Sequence, residues 1–306
     1  MTFGPISYPT SSRWSPLTEL TSNVLALLSA AFYGAADFLG GLVSRRASTL
    51  AVVFLTQSWG FIALIAALPL FPTAHPSASD LMWGSVASLG GSIGVALLYR
   101  ALAVGTMAVV APTTAVCAVA IPVAAGVLTG ERVSLPTWMG IALAVVAIAL
   151  VGQERRTSTD PMQTTSPVRR LPPELGLALL SGVAIGGFFV ALARTSADAG
   201  MWPLVLSRAQ SSVLFGIAAV VAGASLRLPR MLFLLALVGG VLDVVANGLY
   251  LLSTRSGSLP VVVTLASLYP ASTVLLARFV LKERLNALQV IGVITALVAI
   301  TLIVAN

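Results

Sequence analysis

The sequence predicts an all-α integral membrane protein with ten transmembrane helices, arranged as two inverted repeats of five helices each. Three observations lead to this fold class. The composition is too apolar for a surface that faces water, and apolar tracts long enough to span a membrane follow one another along the chain. The second half of the chain also repeats the first at an offset of 152 residues.

Hydrophobic residues make up 58% of the 306 residues and charged residues only 9%, and the mean hydropathy is +0.99. A soluble globular domain carries about 25% charged residues, so this chain lacks the polar side chains that would cover a surface in water. In lipid, every backbone polar group has to be satisfied within the protein, which leaves helices or closed barrels. The chain lacks the alternating pattern of barrel strands, and helices are therefore expected.

The internal repeat is visible in several segments that coincide at the offset of 152 residues. The matching pairs are 25–29 with 177–181, Gly34 with Gly186, Gly105 with Gly257, Glu131-Arg132 with Glu283-Arg284, and Gly140 with Gly292. Two matched charges in such a charge-poor chain indicate a duplicated unit. Because each copy holds five helices, an odd number, the second copy is expected to enter the membrane in the opposite orientation, as in many secondary transporters.

We divide the chain into a disordered tail at 1–21, a first repeat at 22–152, a polar linker at 153–173 and a second repeat at 174–306. The tail lacks the pattern of a cleaved secretory signal. A helix needs about 20 apolar residues to cross about 30 Å of hydrocarbon. The ten expected spans are about 22–44, 49–71, 80–103, 106–129, 134–152, 174–195, 201–225, 231–253, 258–281 and 285–305.

A polar stripe interrupts the eighth span. Charges inside a span are costly, about 2.5–3.5 kcal/mol each on insertion scales, so each one needs a reason. Asp243 lies at the middle of its span, with Asn247 and Tyr250 at i+4 and i+7. This stripe is expected to face the protein interior or a water-filled cavity. We interpret it as part of a substrate or proton pathway; the alternative is a hydrogen-bond cluster that only holds two helices together.

Further polar residues inside spans are candidates for the same pathway. Asp37 follows Tyr33 by one turn in the first span, where a functional and a structural role are equally open. Burial of an aspartate would favour its protonated form and permit proton coupling. Arg208 in the seventh span and Arg100 near the end of the third, directly after Tyr99, are candidate partners for the aspartates or for an anionic substrate. Either arginine could instead snorkel to the interface.

Four prolines inside spans are candidate gating kinks: Pro112 and Pro122 in the fourth span, and Pro260 and Pro270 in the ninth. A proline removes a helix hydrogen bond and kinks the helix. Irregular backbone is tolerated in a membrane where it is buried in protein or lines a cavity. Ordinary bent packing is the alternative. Tyr269, directly before Pro270, is expected to add an aromatic wall to the pathway.

The sequence lacks the residues that several other classes of protein require. One cysteine and one histidine argue against a disulfide framework and against a metal site, and no cofactor is expected. The chain contains neither the phosphate-binding loop of an ATP-driven pump nor a recognisable hydrolase motif, so we expect no enzyme. The formal charge of +7 lies in loops and linker, which indicates contact with anionic membrane lipids rather than with nucleic acid. The sequence leaves the oligomeric state, including a homodimer, open.

Corresponding tracts of the two copies share one layout. Each has an apolar helix with two prolines, a turn with a Glu-Arg pair, and a charge-free helix with one glycine: Leu98 to Val151 with Gly130-Glu131-Arg132, and Leu249 to Gly292 with Lys282-Glu283-Arg284. This layout resembles the EamA-type permeases of the drug/metabolite transporter superfamily, and the resemblance covers essentially the whole chain from residue 22. The Glu-Arg pairs at the span ends are expected to cap tight turns.

The resemblance implies a ten-helix carrier with a central cavity, which moves a small metabolite or drug across the cell membrane by alternating access. We expect export rather than import, with proton coupling or exchange as open routes. A membrane scaffold or receptor-like protein without transport is the alternative. Fold-level analogy does not name the cargo.

The orientation of the chain is left open by two conflicting indications. The resemblance implies that both termini are cytoplasmic. That arrangement would leave four basic residues inside and ten outside, whereas basic residues accumulate in cytoplasmic loops. The charge count therefore favours external termini.

Overall fold

Ten α-helices and no β-strand make up the part of the chain that this computed structural model describes, residues 16–71, 73–128, 135–151, 172–192, 194–256 and 265–304. The helices are α1 Pro16–Ser44, α2 Thr49–Ala67, α3 Ala78–Val104, α4 Met107–Leu128, α5 Leu135–Val151, α6 Pro173–Leu192, α7 Trp202–Val221, α8 Arg230–Ser256, α9 Tyr269–Val280 and α10 Ala287–Val304. Each helix overlaps one expected span. The helices α1 to α4 and α6 to α8 are long and apolar enough to cross a membrane, and α5 and α10 are shorter apolar helices. The prediction of an all-α membrane protein is confirmed.

The first helix begins earlier than the sequence predicted. It starts at Pro16, so the last six residues of the predicted tail are helical. A proline is tolerated in the first turn because its missing N–H needs no partner there, and Glu19 in the same turn faces the positive end of the helix dipole. The remainder of the tail, 1–15, and residues 152–171 of the linker region lie outside the described residues.

The ninth span is interrupted directly before Pro270. Residues 265 and 266 are helical, a turn follows at 267–268, and α9 begins at Tyr269 with Pro270 in its first turn, where no hydrogen bond from its nitrogen is needed. The role of Pro270 as a gating kink stays a prediction. Pro112 and Pro122 do lie inside a helix, α4, as expected. Pro260 lies outside the described residues.

Helices α1 and α8 run antiparallel. Near the beginning of α1, Ser22 donates from Oγ to the backbone oxygen of Ser253 at 3.0 Å. Two turns later, Ser29 donates from Oγ to the backbone oxygen of Ala246 at 2.8 Å. Since the chain numbers rise on α1 while they fall on α8, the two helices point in opposite directions.

The same pairing recurs between α3 and α6. Ser181 donates from Oγ to the backbone oxygen of Gly94 at 2.8 Å, and the side chain of Glu174 packs on Gly105. These helices are again antiparallel. Ser181 is the repeat mate of Ser29, and Gly94 is the repeat mate of Ala246, because each pair is 152 residues apart. The two copies therefore place equivalent serines in equivalent hydrogen bonds.

Glycines allow α1 to lie against α9 and α6 to lie against α4. A Cβ atom built on Gly34 would lie 2.5 Å from the backbone oxygen of Tyr269 on α9. One built on Gly186, the repeat mate of Gly34, would lie 2.5 Å from Cβ of Ile121 on α4. Small residues at such positions let membrane helices approach closely, where dispersion forces and interhelical hydrogen bonds stabilise them.

The apolar core is concentrated on one side of the bundle. We term this the closed side: it is where α1 ends and α4 begins, opposite the side where α1 begins and α10 ends. Eight helices contribute to its cluster, which consists of Phe38, Val43, Val52, Val53, Leu98, Tyr99, Ala101, Leu102, Met107, Ala108, Val110, Ala111, Ala178, Phe215, Leu232 and Ala277. Toward the other side, the termini side, a smaller cluster draws on α2, α8 and the beginning of α7, including the residue before it: Leu64, Met201, Val205 and Val244. The largest cluster of buried apolar residues thus lies at one end of the bundle.

Candidate functional site

The polar stripe of α8 faces the interior of the bundle. The exposed large side chains of this helix are Met231, Leu234, Val238, Val245 and Leu252. At 3.6 residues per turn these five form one face of the helix. Asp243, Asn247 and Tyr250 lie on the opposite face and are each partly buried. The predicted orientation of the stripe is confirmed.

Arg208 connects α7 to α2 and α8. Its Nη1 donates to Oε1 of Gln57, and its Nη2 donates to Oδ2 of Asp243. Gln57 donates in turn from Nε2 to Oγ of Ser211 at 3.0 Å. Asn247 donates from Nδ2 to Asp243, at 2.7 Å to the backbone oxygen and 3.2 Å to Oδ2. We refer to these five residues as the Arg208 network.

Two glycines make room for this network. A Cβ atom built on Gly240 of α8 would lie 2.3 Å from the backbone oxygen of Thr56 on α2, so the two backbones are in direct contact. On the same interface, a Cβ on Gly60 would lie 3.7 Å from Nη1 of Arg208. The guanidinium of Arg208 therefore lies beside a contact between α2 and α8 that backbone atoms form at Gly60 and Gly240.

The ion pair in the network is largely withdrawn from solvent. The side chains of Arg208 and Asp243 are 16% and 25% exposed. Two charges in such surroundings are tolerated because each neutralises the other and both have additional hydrogen-bond partners.

Asp37 lies next to the network but does not join it. It lies within electrostatic range of Asp243 and of the hydroxyl groups of three tyrosines on three helices, Tyr33, Tyr99 and Tyr269. The Tyr33 and Tyr269 rings meet edge to face, with their centroids 6.4 Å apart. Among the described residues, Asp37 has no hydrogen bond and no ion pair. The structure therefore brings both aspartates and these three tyrosines close together, as we expected of residues that line one pathway.

Tyr99 closes this cluster toward the closed side. A Cβ atom built on Gly40 would lie 2.1 Å from Cζ of Tyr99, so the ring rests directly on the α1 backbone. The next residue, Gly41, is in similar contact with Leu102: a Cβ atom built on Gly41 would lie 2.5 Å from Cβ of Leu102. Tyr99 is only 5% exposed. Below Asp37, α1 and α3 thus leave no space for a ligand.

Arg100 does not reach the cluster. It is exposed, on the same face of α3 as the exposed side chains Met82, Val86, Leu89, Ile93 and Val104. It lies one turn from the end of the helix, close enough for its guanidinium to extend to the interface. The structure thus fits the snorkelling alternative rather than a place in the pathway.

A second polar arrangement lies at the surface of the closed side. Arg45, in the turn between α1 and α2, donates from Nη2 to Oε1 of Glu283 at 3.0 Å and to the backbone oxygen of Gly105 at 3.2 Å. Glu283 also accepts from the backbone nitrogens of Met107 at 3.2 Å and Ala108 at 3.1 Å, and so caps the beginning of α4. We term this arrangement the closed-side lock, because it ties the α1–α2 turn, the α3–α4 connection and the α9–α10 turn together.

The lock depends on the turn that carries Glu283. Lys282 adopts a left-handed conformation, with φ of 55°, which favours glycine. The first copy has Gly130 at the equivalent position in the sequence. Arg278 at the end of α9 donates from Nη1 to the backbone oxygen of Glu283 at 2.9 Å. The carboxylate of Glu283 thus caps the beginning of α4 and not the turn into α10, which is the cap that the sequence analysis expected, and Arg45 was missed as its partner. Glu131-Arg132 lies outside the described residues.

Gln57 is a further residue that the sequence analysis did not single out. Its signal was present, since Gln57-Ser58 in the first copy matches Gln210-Ser211 in the second at an offset of 153 residues. In the structure, Gln57 is buried and connects Arg208 to Ser211, one residue of that second pair.

Comparison with known proteins adds a family and a fold. The sequence matches the EamA-like transporter family twice, over residues 20–153 and again over residues 173–305. A crystal structure of another protein is similar over 93% of this chain and 96% of its own, with a TM-score of 0.54 and 14% sequence identity. At that identity the similarity concerns the fold alone. No curated protein matches the sequence.

Proposed function

Because this chain belongs to the EamA-like transporter family, we propose that it is a secondary transporter that moves a small metabolite or drug across the cell membrane by alternating access. The observation that carries the proposal is the polar cluster inside the bundle. Charges this deep in a membrane protein are costly and typically mark a substrate or ion pathway. Here the Arg208 network and Asp37 converge from α1, α2, α7 and α8, above a sealed end.

The architecture that we propose for this activity is an inverted repeat of two times five membrane-spanning helices. Its support is the antiparallel packing of α1 on α8 and of α3 on α6. The serine hydrogen bonds in these two helix pairs join positions that are equivalent at the offset of 152 residues. Transporters built in this way bind their cargo near the midplane, at the interface between the repeats.

Alternating access follows if the two repeats exchange conformations. On the closed side, the ends of α1 and α3 pack together through Gly40 and Tyr99. Their equivalents in the second repeat are the ends of α6 and α8, on the termini side, and over their described residues these make no extensive contact. We propose that the transport cycle alternates between this arrangement and its counterpart, in which the termini side is sealed. Export coupled to protons or to exchange is the expected mode.

A transport assay tests this function directly. We expect saturable flux of at least one compound when the purified protein, in proteoliposomes, is offered amino acids, nucleosides, sugars and organic cations. Asp243→Asn and Arg208→Gln should each reduce that flux at least tenfold, since a hydrogen bond to a charged group contributes about 1.5–3 kcal/mol and each 1.4 kcal/mol is tenfold.

Asp198→Asn provides the matched control, because it makes the same chemical change at an exposed position between α6 and α7 and should leave the flux unchanged. Folding of every variant is checked by size-exclusion chromatography. A folded protein that transports none of the panel would instead support the alternative, a membrane scaffold or receptor.

The closed-side lock yields a second prediction. Glu283→Ala removes the cap of α4, worth about 0.5–2 kcal/mol, and the surface ion pair with Arg45, worth about 0.2–1 kcal/mol. The closed side should therefore open about tenfold more often. The measurement is the rate at which a membrane-impermeant thiol reagent labels Ala101→Cys, a buried position behind the lock, in a Cys117→Ala background.

Glu174→Ala is the control for this measurement. Glu174 lines the same surface recess as Arg45 and Glu283, but its carboxylate makes no hydrogen bond or ion pair to any described residue. Its removal should leave the labelling rate unchanged. Equal labelling in both variants would show that the lock does not hold this end closed.

A further inference from the structure

Asp37 has a carboxyl group that the Arg208 network leaves unpaired. Asp243 is bound by both Arg208 and Asn247. The carboxylate of Asp37, in the part of the chain that the structure describes, has no such partner. An unpaired carboxylate away from water is strongly disfavoured. Such a carboxyl group either holds a proton or pairs with a positively charged group, and we expect a cation to replace the proton at some stage of the cycle.

The charges of the whole cluster point the same way. It contains the carboxyl groups of Asp37 and Asp243 and the guanidinium of Arg208, so one negative charge is in excess whenever Asp37 is ionised. Arg208 already has two acceptors, Gln57 and Asp243. An anionic ligand would have to break that ion pair and then lie against Asp37, whereas a cation only has to replace the proton of Asp37.

The surroundings of Asp37 suit an organic cation better than a metal ion. Tyr33 precedes Asp37 by about one turn of α1, and its ring meets that of Tyr269 edge to face. The ring of Tyr99 rests on Gly40, three residues after Asp37. The faces of aromatic rings attract ammonium groups and also pack against apolar bodies. A hard metal ion would require about six oxygen ligands, and the described residues contain no group of three or more His, Cys, Asp or Glu side chains.

We propose that the transported substrate is an organic cation, a protonated amine on an aromatic or aliphatic body, whose positive charge pairs with the carboxylate of Asp37. Its body lies against Tyr33 and Tyr269, and Tyr99 forms the floor of the site. Arg208 holds Asp243 in place and does not contact the cation. This inference rests on the proposed transport function, because it assigns a substrate class to that same site.

The test uses matched pairs of probes on the purified full-length protein in detergent. Phenethylamine and tryptamine are cationic at pH 7, and phenethyl alcohol and tryptophol are their neutral counterparts. A ligand that binds the folded state raises its thermal midpoint, so we expect a concentration-dependent rise with at least one amine and none with its alcohol. Asp37→Asn should weaken this binding by at least about 30-fold, because truncating one partner of a desolvated charge pair typically costs that much. Asp37→Glu should retain most of it, and the exposed variant Asp198→Asn should behave like the parent protein.

Three outcomes would overturn the assignment: equal effects of an amine and its alcohol, unchanged amine binding in Asp37→Asn, or no effect of any amine. A rise in the midpoint when potassium chloride is replaced by sodium chloride at equal ionic strength, lost in Asp37→Asn, would assign the site to an inorganic ion instead. If the amines fail while another compound is transported in an Asp243-dependent manner, the substrate class is wrong and the transport function stands. If nothing is transported, the proposed function itself fails.

Discussion

The free energy of unfolding of an Asp243→Leu variant is expected to be about 3 kcal/mol lower than that of the parent protein. The reason is that the substitution leaves the guanidinium of Arg208 without its carboxylate. Removing one partner of a buried ion pair typically costs about 3–5 kcal/mol, and the partial exposure of both side chains places this pair at the lower end. Arg208→Met should be destabilising for the same reason. The free energy of unfolding is measured by titration with a denaturing detergent in mixed micelles.

The double variant Arg208→Met, Asp243→Leu is the informative control. It removes both charges and leaves apolar groups of similar size, and such replacements are often neutral or stabilising. We therefore expect the double variant to be more stable than either single variant. If its loss instead equals the sum of the two single losses, the residues are independent and the ion pair does not hold α7 to α8.

The second large effect is expected at a helix contact. Gly182→Ala should lower the free energy of unfolding by about 1–3 kcal/mol, the usual cost of overpacking. The added methyl group would lie 2.4 Å from Cβ of Cys117 and 2.6 Å from the backbone oxygen of Thr114 on α4. Because a backbone oxygen cannot move aside as a side chain can, α6 and α4 have to separate. Thermal or detergent unfolding of the purified protein measures the loss.

Gly187→Ala supplies the opposite result on the same helix. No atom lies within 4 Å of a Cβ built on Gly187, so its added methyl group meets open space. Alanine is a better helix former than glycine by about 1 kcal/mol, and this variant should be as stable as the parent protein or slightly more so. Similar losses in both variants would mean that backbone propensity, and not helix contact, decides the effect.

Sequence periodicity was sufficient to orient the polar stripe of α8. Asp243, Asn247 and Tyr250 share one face because they are four and seven residues apart, and an apolar face remains for lipid. The same reasoning could not place Arg100, because four residues from a helix end allow both a buried and an interfacial position. The structure decides between them through the neighbouring exposed side chains on α3. The roles of all these residues in transport remain predictions.

The partners within the network were beyond the reach of the sequence. Gln57 and Arg208 are 151 residues apart, and Arg45 and Glu283 are 238 residues apart. No local pattern specifies such pairs. The repeated Gln-Ser dipeptide marked Gln57 only as a member of the duplication. The exact position of the break near Pro270 was also beyond the sequence, because a proline is equally compatible with a kink inside a helix and with the first turn of one.

The sequence by itself determined that the protein lies in a membrane, that it is helical and that it consists of a duplicated unit. Composition shows which segments can be buried in lipid, and the spacing of matching residues shows that the pattern recurs. Only the tertiary structure decided which end of the bundle holds the larger apolar core, which arginine meets Asp243 and which aspartate has no partner among the described residues. These outcomes depend on contacts between distant helices, made where glycines such as Gly40 and Gly240 allow backbones to touch, and such contacts have no signature within any one helix.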